Sequence, residues 1–167
     1  MLPVTLHETI LQIHQAGKPT VLALTGGGAS AAAWLLGVPG GSRSVLEVSV
    51  PYAQEALDDY LGSSPTESYC SPETARRLAE RAWERACWLA PQRPVIGIGC
   101  TASLRSDRPK KGDHRIHVAS ADGSHCTTYS LTLAKEQRDR QGEEELAGLL
   151  VLLALAGVSA ADIAADW

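Results

Sequence analysis

Residues 20–30 constrain the fold of this chain more than any other stretch. Residues 21–24 form an apolar run of strand length, which is bounded by Pro19 on one side and by three glycines on the other. The residues after the glycines, 29–36, are mostly good helix formers. A strand, a glycine turn and a helix in this order predict an α/β domain.

The glycine turn is also a candidate ligand site. Gly26, Gly27 and Gly28 allow positive φ and the close approach of a ligand. The free N–H groups at the start of a helix favour an anion such as phosphate. The spacing matches neither the Rossmann fingerprint nor the P-loop, because no Gly-Lys-Ser/Thr follows. A tight turn without a ligand is the alternative interpretation.

Hydrophobic periodicity and breaker residues place the other elements. Ser71, Pro72 and Glu73 form a strong helix start, and Gly17 is typical of a helix end. Gly97 and Gly99 interrupt an apolar strand, which indicates close approach by another backbone or a ligand. We predict helices over residues 5–16, 52–61, 72–89 and 141–156, a short last turn over 160–167, strands over 45–50 and 94–101, and a hairpin of 115–120 and 126–133 with a type I′ turn at Asp122-Gly123.

Composition narrows the class of protein. A chain of 167 residues with 44% hydrophobic residues suits one domain, residues 1–167, and leaves open whether a longer protein contains it. The net charge of −4 argues against a general nucleic-acid binder. No signal-peptide pattern is visible, and the longest apolar run, 146–158, is too short to span a membrane. The cysteines form no Cys-x-x-Cys pair, so we expect reduced thiols in a cytoplasmic protein: Cys70, Cys87, Cys100 and Cys126.

Two pairs of histidines predict no metal site. His7 and His14 lie two turns apart on the first helix without further ligands, so we expect them to be solvated or to cap the helix. His114 and His117 lie on a strand, where their odd spacing sends them to opposite faces.

The loop over residues 103–113 is long and basic. Ligands of open α/β sheets collect beyond the carboxyl ends of the strands, where this loop and the glycine turn are both expected. Lys110 and Lys111 are therefore predicted to hold a phosphate at the glycine turn. Arg105 and Arg108 are weaker candidates, because charged loop residues are usually solvated. The last long helix has Glu143, Glu144 and Glu145 in its first turn, where the helix dipole stabilises their negative charges.

Four short motifs occur in a fixed order: Thr25-Gly26-Gly27, Gly37-Val38-Pro39-Gly40, Tyr52-Ala53-Gln54-Glu55-Ala56 and Ser71-Pro72-Glu73-Thr74-Ala75. With the loop over residues 97–112, the set resembles the C-terminal domain of the competence/damage-inducible protein CinA, across residues 5–156. The same domain occurs alone as nicotinamide mononucleotide deamidase. The resemblance implies a three-layer α/β/α sandwich with a mixed, mostly parallel sheet of about five strands. It also implies a homodimer, and release of ammonia from nicotinamide mononucleotide without a metal or cofactor.

The chain departs from this family at the residues that carry the reaction. The family has Glu-Ser-Cys-Thr-Gly-Gly at residues 22–27, so Ala23 takes the place of the nucleophilic serine. The family has Tyr-Ser-Asn-Glu-Ala-Lys at residues 52–57, so Tyr52 is kept and Leu57 replaces the lysine. Its Thr/Ser-Gly-Ile-Ala-Gly-Pro loop corresponds to residues 99–104, which also differ. An amide hydrolase with an acyl intermediate needs a nucleophile and a proton acceptor, so we expect no deamidation.

Three functions are therefore compared. The leading one is a degenerate CinA-like domain that binds a mononucleotide or similar phosphorylated ligand, with no nucleic-acid or membrane partner. The second is an amidohydrolase with a rebuilt site, whose candidate nucleophiles are Thr25, Ser30, Cys100, Thr101 and Ser103, helped by Tyr52 or a loop lysine. The third is a regulatory or structural domain that docks a partner enzyme through Trp34, Trp83 or Trp88. The predicted ligand-binding residues are Thr25, Gly26, Gly27, Gly28, Tyr52, Cys100, Thr101, Ser103, Lys110 and Lys111.

Overall fold

The computed structural model describes residues 5–164, so the last three residues of the predicted 160–167 turn lie outside it. One mixed sheet has the strand order β2-β1-β3-β4-β5. β1 pairs in parallel with β2 and with β3, and β4 pairs antiparallel with β3 and with β5. Four strands thus run in one direction and β4 in the other. The strands are β1 (Thr20–Thr25), β2 (Val45–Ser49), β3 (Ile96–Ser103), β4 (His114–Ala121) and β5 (Cys126–Leu133).

Helices cover both faces of this sheet, which confirms the predicted three-layer α/β/α architecture. They are α1 (Leu6–Ala16), α2 (Ala29–Gly37), α3 (Gln54–Leu61), α4 (Pro72–Leu89), α5 (Arg140–Leu155) and α6 (Ala160–Ala164). One apolar cluster joins Leu22, Leu24 and Ile98 of the sheet to α1, α2 and α5. A second joins Val21 and Ala23 to α3 and α4. Alternate residues of β1 therefore serve opposite cores, as the strand period requires.

The helix boundaries agree closely with local signals in the sequence. Ser71 caps α4, and its hydroxyl accepts a hydrogen bond from the Thr74 N–H at 3.2 Å. Gly17 ends α1 with a φ of 63°. α3 starts only at Gln54, so Tyr52 lies in the turn before the helix and not in its first turn. No described helix is both long and apolar enough to cross a membrane.

Gly97 and Gly99 are sites of close backbone approach, as predicted. A Cβ built on either residue would come closer than 3.0 Å to the backbone of α4. For Gly99 the nearest atoms are the carbonyl oxygen of Ala75 and the nitrogen of Ala79. The neighbour is a helix of the same chain, so these glycines serve packing between helix and sheet.

Two local predictions are wrong. His14 is neither solvated nor a cap: it is fully buried, its Nδ1 lies 2.5 Å from Ser44 Oγ, and its Nε2 donates to the Leu35 carbonyl at 3.0 Å. Its two partners lie more than twenty residues later in the chain, so helix periodicity cannot show its burial. The hairpin forms, but its turn is not type I′, because Gly123 has positive φ and Asp122 does not. The Asp122 carboxylate instead accepts from the N–H groups of Ser124 and His125.

Candidate functional site

The glycine turn joins the carboxyl end of β1 to the start of α2. Gly26 and Gly28 have φ values of 76° and 94°, which L side chains rarely adopt. A Cβ on Gly26 would collide with the backbone of Ala102 on the neighbouring strand β3. Gly28 is the N-cap of α2 and supplies no side chain to its free N–H groups. The turn therefore has the strand–glycine–helix geometry that the sequence predicts.

A carboxylate from α5 accepts hydrogen bonds from backbone N–H groups of this turn. Glu144 accepts from the N–H of Gly28 at 2.9 Å, from the N–H of Ser30 at 3.0 Å and from the Ser30 hydroxyl at 3.2 Å. The helix dipole of α2 favours this negative charge as it would favour a phosphate. A phosphate at the same place would have to displace Glu144. The sequence shows Glu144 only as an acid in the first turn of its own helix. Its partners lie over a hundred residues earlier in the chain, so residue spacing does not reveal the contact.

The positions that correspond to the family's serine and lysine lie in an apolar core. Ala23 is fully buried and Leu57 is 3% exposed, and both belong to the cluster beneath α3 and α4. Tyr52, by contrast, is 65% exposed. It lines a groove of about 410 Å³ beside the glycine turn, together with Ser30 and the previously unassigned Arg140. The structure therefore separates Tyr52 from the two positions with which it was grouped.

The candidate nucleophiles differ sharply in access. Cys100 is fully buried, and burial raises the pKa of its thiol well above the usual range, which keeps it protonated. Thr25 and Thr101 are also buried, and the Thr101 hydroxyl donates to the Tyr69 carbonyl at 2.7 Å. Ser30 is bound to Glu144, as described above. Three of these four side chains are buried and the fourth, Ser30, is hydrogen-bonded to Glu144, so none is an accessible, free nucleophile.

Ser103, at the end of β3, has a different partner. The Lys110 Nζ donates to its hydroxyl at 3.1 Å. Burial, followed by the positive charge of Arg140, lowers the pKa of Lys110. A lysine that loses its proton more readily can accept one from a neighbouring hydroxyl. Ser103 is thus the predicted nucleophile whose surroundings are closest to a serine–lysine pair.

The basic loop forms a pocket of its own. This pocket of about 240 Å³ contains no residue of the glycine turn, and Lys111 does not line it. The structure therefore does not bring Lys110, Lys111 and the three glycines into one cavity. Lys135 was not predicted from the sequence, although it follows Leu133, which pairs with His114 in the hairpin. The basic side chains around the pocket are Arg105, Arg108, Lys110, Lys135 and His114.

A buried histidine–carboxylate pair lies against this pocket. His114 Nδ1 is 2.7 Å from Glu143 Oε1, and Glu143 Oε2 accepts from the Arg105 N–H at 2.6 Å. His117 bonds instead to Ser130 at 2.7 Å, and burial followed by the Arg115 charge lowers its pKa. Within residues 5–164, no group of three or more His, Cys, Asp or Glu side chains is placed to hold a metal.

Of the tryptophans that the structure describes, one has an exposed ring. Trp88 is 72% exposed, and the Arg85 guanidinium lies 5.0 Å from the centroid of its ring. Trp34 and Trp83 pack against the two sides of the core as partly buried residues. Of the three predicted docking residues, Trp88 alone presents most of its surface to solvent.

Solved structures of CinA superfamily proteins have the same fold. The CinA superfamily protein from Enterobacter cloacae superposes with a TM-score of 0.76 at 17% identity, covering 94% of each chain. The competence/damage inducible protein CihA from Agrobacterium tumefaciens gives a TM-score of 0.71 at 18% identity, covering 94% of this chain and 97% of its own. The competence damage-inducible protein A from Klebsiella pneumoniae gives 0.74 at 18% identity, over 96% and 98%. No protein-family model and no curated protein matches the sequence. The fold implied by the sequence resemblance is thus confirmed.

Proposed function

We propose that this chain, which has the CinA-like fold, is a non-catalytic domain that binds a phosphorylated small molecule such as a mononucleotide. In this proposal it does not deamidate nicotinamide mononucleotide. We further propose that it acts in the cytoplasm as a homodimer, with neither nucleic acid nor membrane as partner. The observation that carries the proposal is the burial of Ala23 and Leu57 in one apolar cluster.

That cluster leaves no room for the family's reaction at the equivalent place. Ala23 has no attacking atom, and Leu57 has no group that takes up a proton. Both side chains are buried in one apolar cluster, which also contains Val21, Leu61 and Leu78. A lysine at residue 57 would place a charge in this core, and an unpaired buried charge is strongly unfavourable. In this proposal the two reactive side chains are missing, and the apolar surroundings of residues 23 and 57 are also unsuited to the reaction.

The basic pocket supports binding of a phosphate. Four basic side chains, those of Arg105, Arg108, Lys110 and Lys135, gather at one place in a chain whose net charge is −4. Clustered cations of this kind attract anionic ligands and hold phosphate oxygens by charge-assisted hydrogen bonds. At the glycine turn, Glu144 places a negative charge on the available donors. We therefore assign the phosphate to the basic pocket in preference to the glycine turn.

The unmodified protein is expected to release no ammonia from nicotinamide mononucleotide but to bind it. Titration calorimetry at low salt should detect binding, and the double variant Lys110→Ala with Lys135→Ala should weaken it at least tenfold. Lys111→Ala is the matched control, because Lys111 belongs to the same loop but lies outside the pocket. Added salt should weaken binding, because screening acts on exposed charges. Turnover of about 1 per second or more would overturn the proposal, as would the absence of heat at millimolar ligand.

A second candidate function is supported by the contact between Ser103 and Lys110. In a rebuilt amidohydrolase, the Ser103 oxygen would attack the amide carbon while neutral Lys110 takes the hydroxyl proton. The amine would leave with that proton, and water would then cleave the acyl ester. The lowered pKa of Lys110 favours the neutral amine that this step requires.

The second function predicts that a fluorophosphonate labels Ser103, which mass spectrometry of the labelled peptide measures. It also predicts that the rate of amide hydrolysis increases with pH, as Lys110 loses its proton. Ser103→Ala should abolish both signals, whereas Ser106→Ala in the same loop should not. Equal labelling of the two variants, or none of the unmodified protein, would exclude a serine–lysine site.

A further inference from the structure

His114 brings a nearly buried titratable group to the wall of the basic pocket. The residue is 6% exposed, yet it lines the cavity formed by the loop over residues 104–113 and by the segment after β5. Its Nδ1 is bound to Glu143, and within residues 5–164 its Nε2 makes no hydrogen bond. This nitrogen is not among the fully buried, unpartnered side-chain atoms of residues 5–164, so it remains accessible from the cavity. A ligand in the cavity can therefore form a hydrogen bond at Nε2.

Glu143 determines which nitrogen of His114 exchanges a proton. Its carboxylate is buried and accepts from two groups, the ring Nδ1–H of His114 and the backbone N–H of Arg105. Since an ionised carboxylate only accepts hydrogen bonds, Nδ1 keeps its proton. Nε2 is then the site that is bare in the neutral ring and becomes a donor in the imidazolium.

The charges that face His114 favour an anion in this cavity. The loop contributes Arg105, Arg108 and Lys110 against Asp107, and Arg108 and Asp107 lie 3.9 Å apart on the exposed side. The segment after β5 contributes Lys135 against Glu136, and α5 contributes Glu143. The basic groups outnumber the acids around the opening. A bound dianion would balance these charges and could accept a hydrogen bond from Nε2–H of His114.

We propose that this pocket is a proton-linked site for a terminal phosphate, the dianionic group of a phosphomonoester. In the complex, His114 is protonated and its Nε2–H donates to a phosphate oxygen, while Lys110 and Arg105 supply the opposing charges. A tetrahedral oxyanion suits donors that come from several sides of a small cavity, and such charge-assisted bonds are strong. This inference rests on the proposed function and deepens it, because it identifies the ligand's terminal phosphate and the residue that senses its charge.

The first test uses sulfate and inorganic phosphate with the full chain. Sulfate keeps its two charges throughout the range of about pH 5 to 8 in which histidines titrate, so a pH dependence of its affinity reports on the protein. Binding that requires a protonated His114 is complete at low pH and weakens as pH rises, by up to about tenfold per unit. Calorimetry of sulfate near pH 8, in buffers with different ionisation heats, should count close to one proton taken up per anion bound.

Variants and a direct spectroscopic readout identify the group. His114→Gln should weaken sulfate binding at least tenfold at pH 6 and remove the pH dependence, whereas His125→Gln, at the exposed hairpin loop, should change neither. If a variant fails to fold, the ring Cε1–H resonance of His114 in the unmodified protein answers the same question. Sulfate should extend its protonated range to higher pH and leave the signal of His7 unchanged.

Each possible result of these experiments either supports or overturns the proposal. Proton uptake together with the His114→Gln loss supports the proposal. Sulfate binding that His114→Gln leaves intact and Lys110→Ala with Lys135→Ala weakens would overturn the role of His114 and leave the proposed function standing. The absence of binding by sulfate, phosphate and nicotinamide mononucleotide alike would overturn both.

Discussion

Gly99→Ala is expected to lower the free energy of unfolding by about 3 kcal/mol or more, at the upper end of the cost of overpacking. A single added methyl would meet the carbonyl oxygen of Ala75 and the nitrogen of Ala79 at less than 3.0 Å. Both atoms belong to the backbone of α4, which cannot move aside as a side chain can. The helix and the central strand β3 would have to separate, and this disturbs the core on that face.

Urea denaturation followed by circular dichroism measures this effect. Gly37→Ala is the matched control, since a Cβ there has no neighbour within 4 Å and the residue is the last of α2. It should leave the midpoint unchanged or raise it slightly, because alanine is the better helix former. Equal midpoints for the two variants would contradict the close packing of α4 on β3.

Leu150→Asp is expected to be at least as damaging, with a loss of about 4 kcal/mol or more, because it buries a charge without a partner. Leu150 is fully buried in the middle of α5, within the cluster that joins α1, α2 and α5 to the sheet. The damage should be smaller in acid, where the introduced carboxyl takes up a proton and burial of the neutral form costs less.

The control for this variant is Leu36→Asp. Leu36 is 63% exposed on α2, so the same change there should cost less than about 1 kcal/mol, mostly through helix propensity. Thermal melts at pH 4 and pH 7 would compare the pair. A Leu150→Asp protein that melts like its parent at pH 7 would show that α5 does not form this part of the core.

The elements of the fold could be predicted from the sequence because their signals are local. The apolar run before the glycines, the Ser71-Pro72 cap and the alternation of the β4–β5 hairpin all act within a few residues. Gly97 and Gly99 even revealed where a backbone comes close. The replacement of the family's serine and lysine by Ala23 and Leu57 could also be predicted from the sequence, because residue identity does not depend on the fold.

The chemistry of the site depended on contacts between distant segments, and only the tertiary structure decided it. Glu144 takes the donors of the glycine turn across more than a hundred residues, and Glu143 fixes His114 in the same way. In the sequence, both glutamates look like ordinary acids in the first turn of a helix. His14, which helix periodicity left in solvent, is buried for the same reason. Residue types and their spacing determine which elements form, but the packing of α5 and α1 against α2 and the sheet determines which polar groups remain free to bind a ligand.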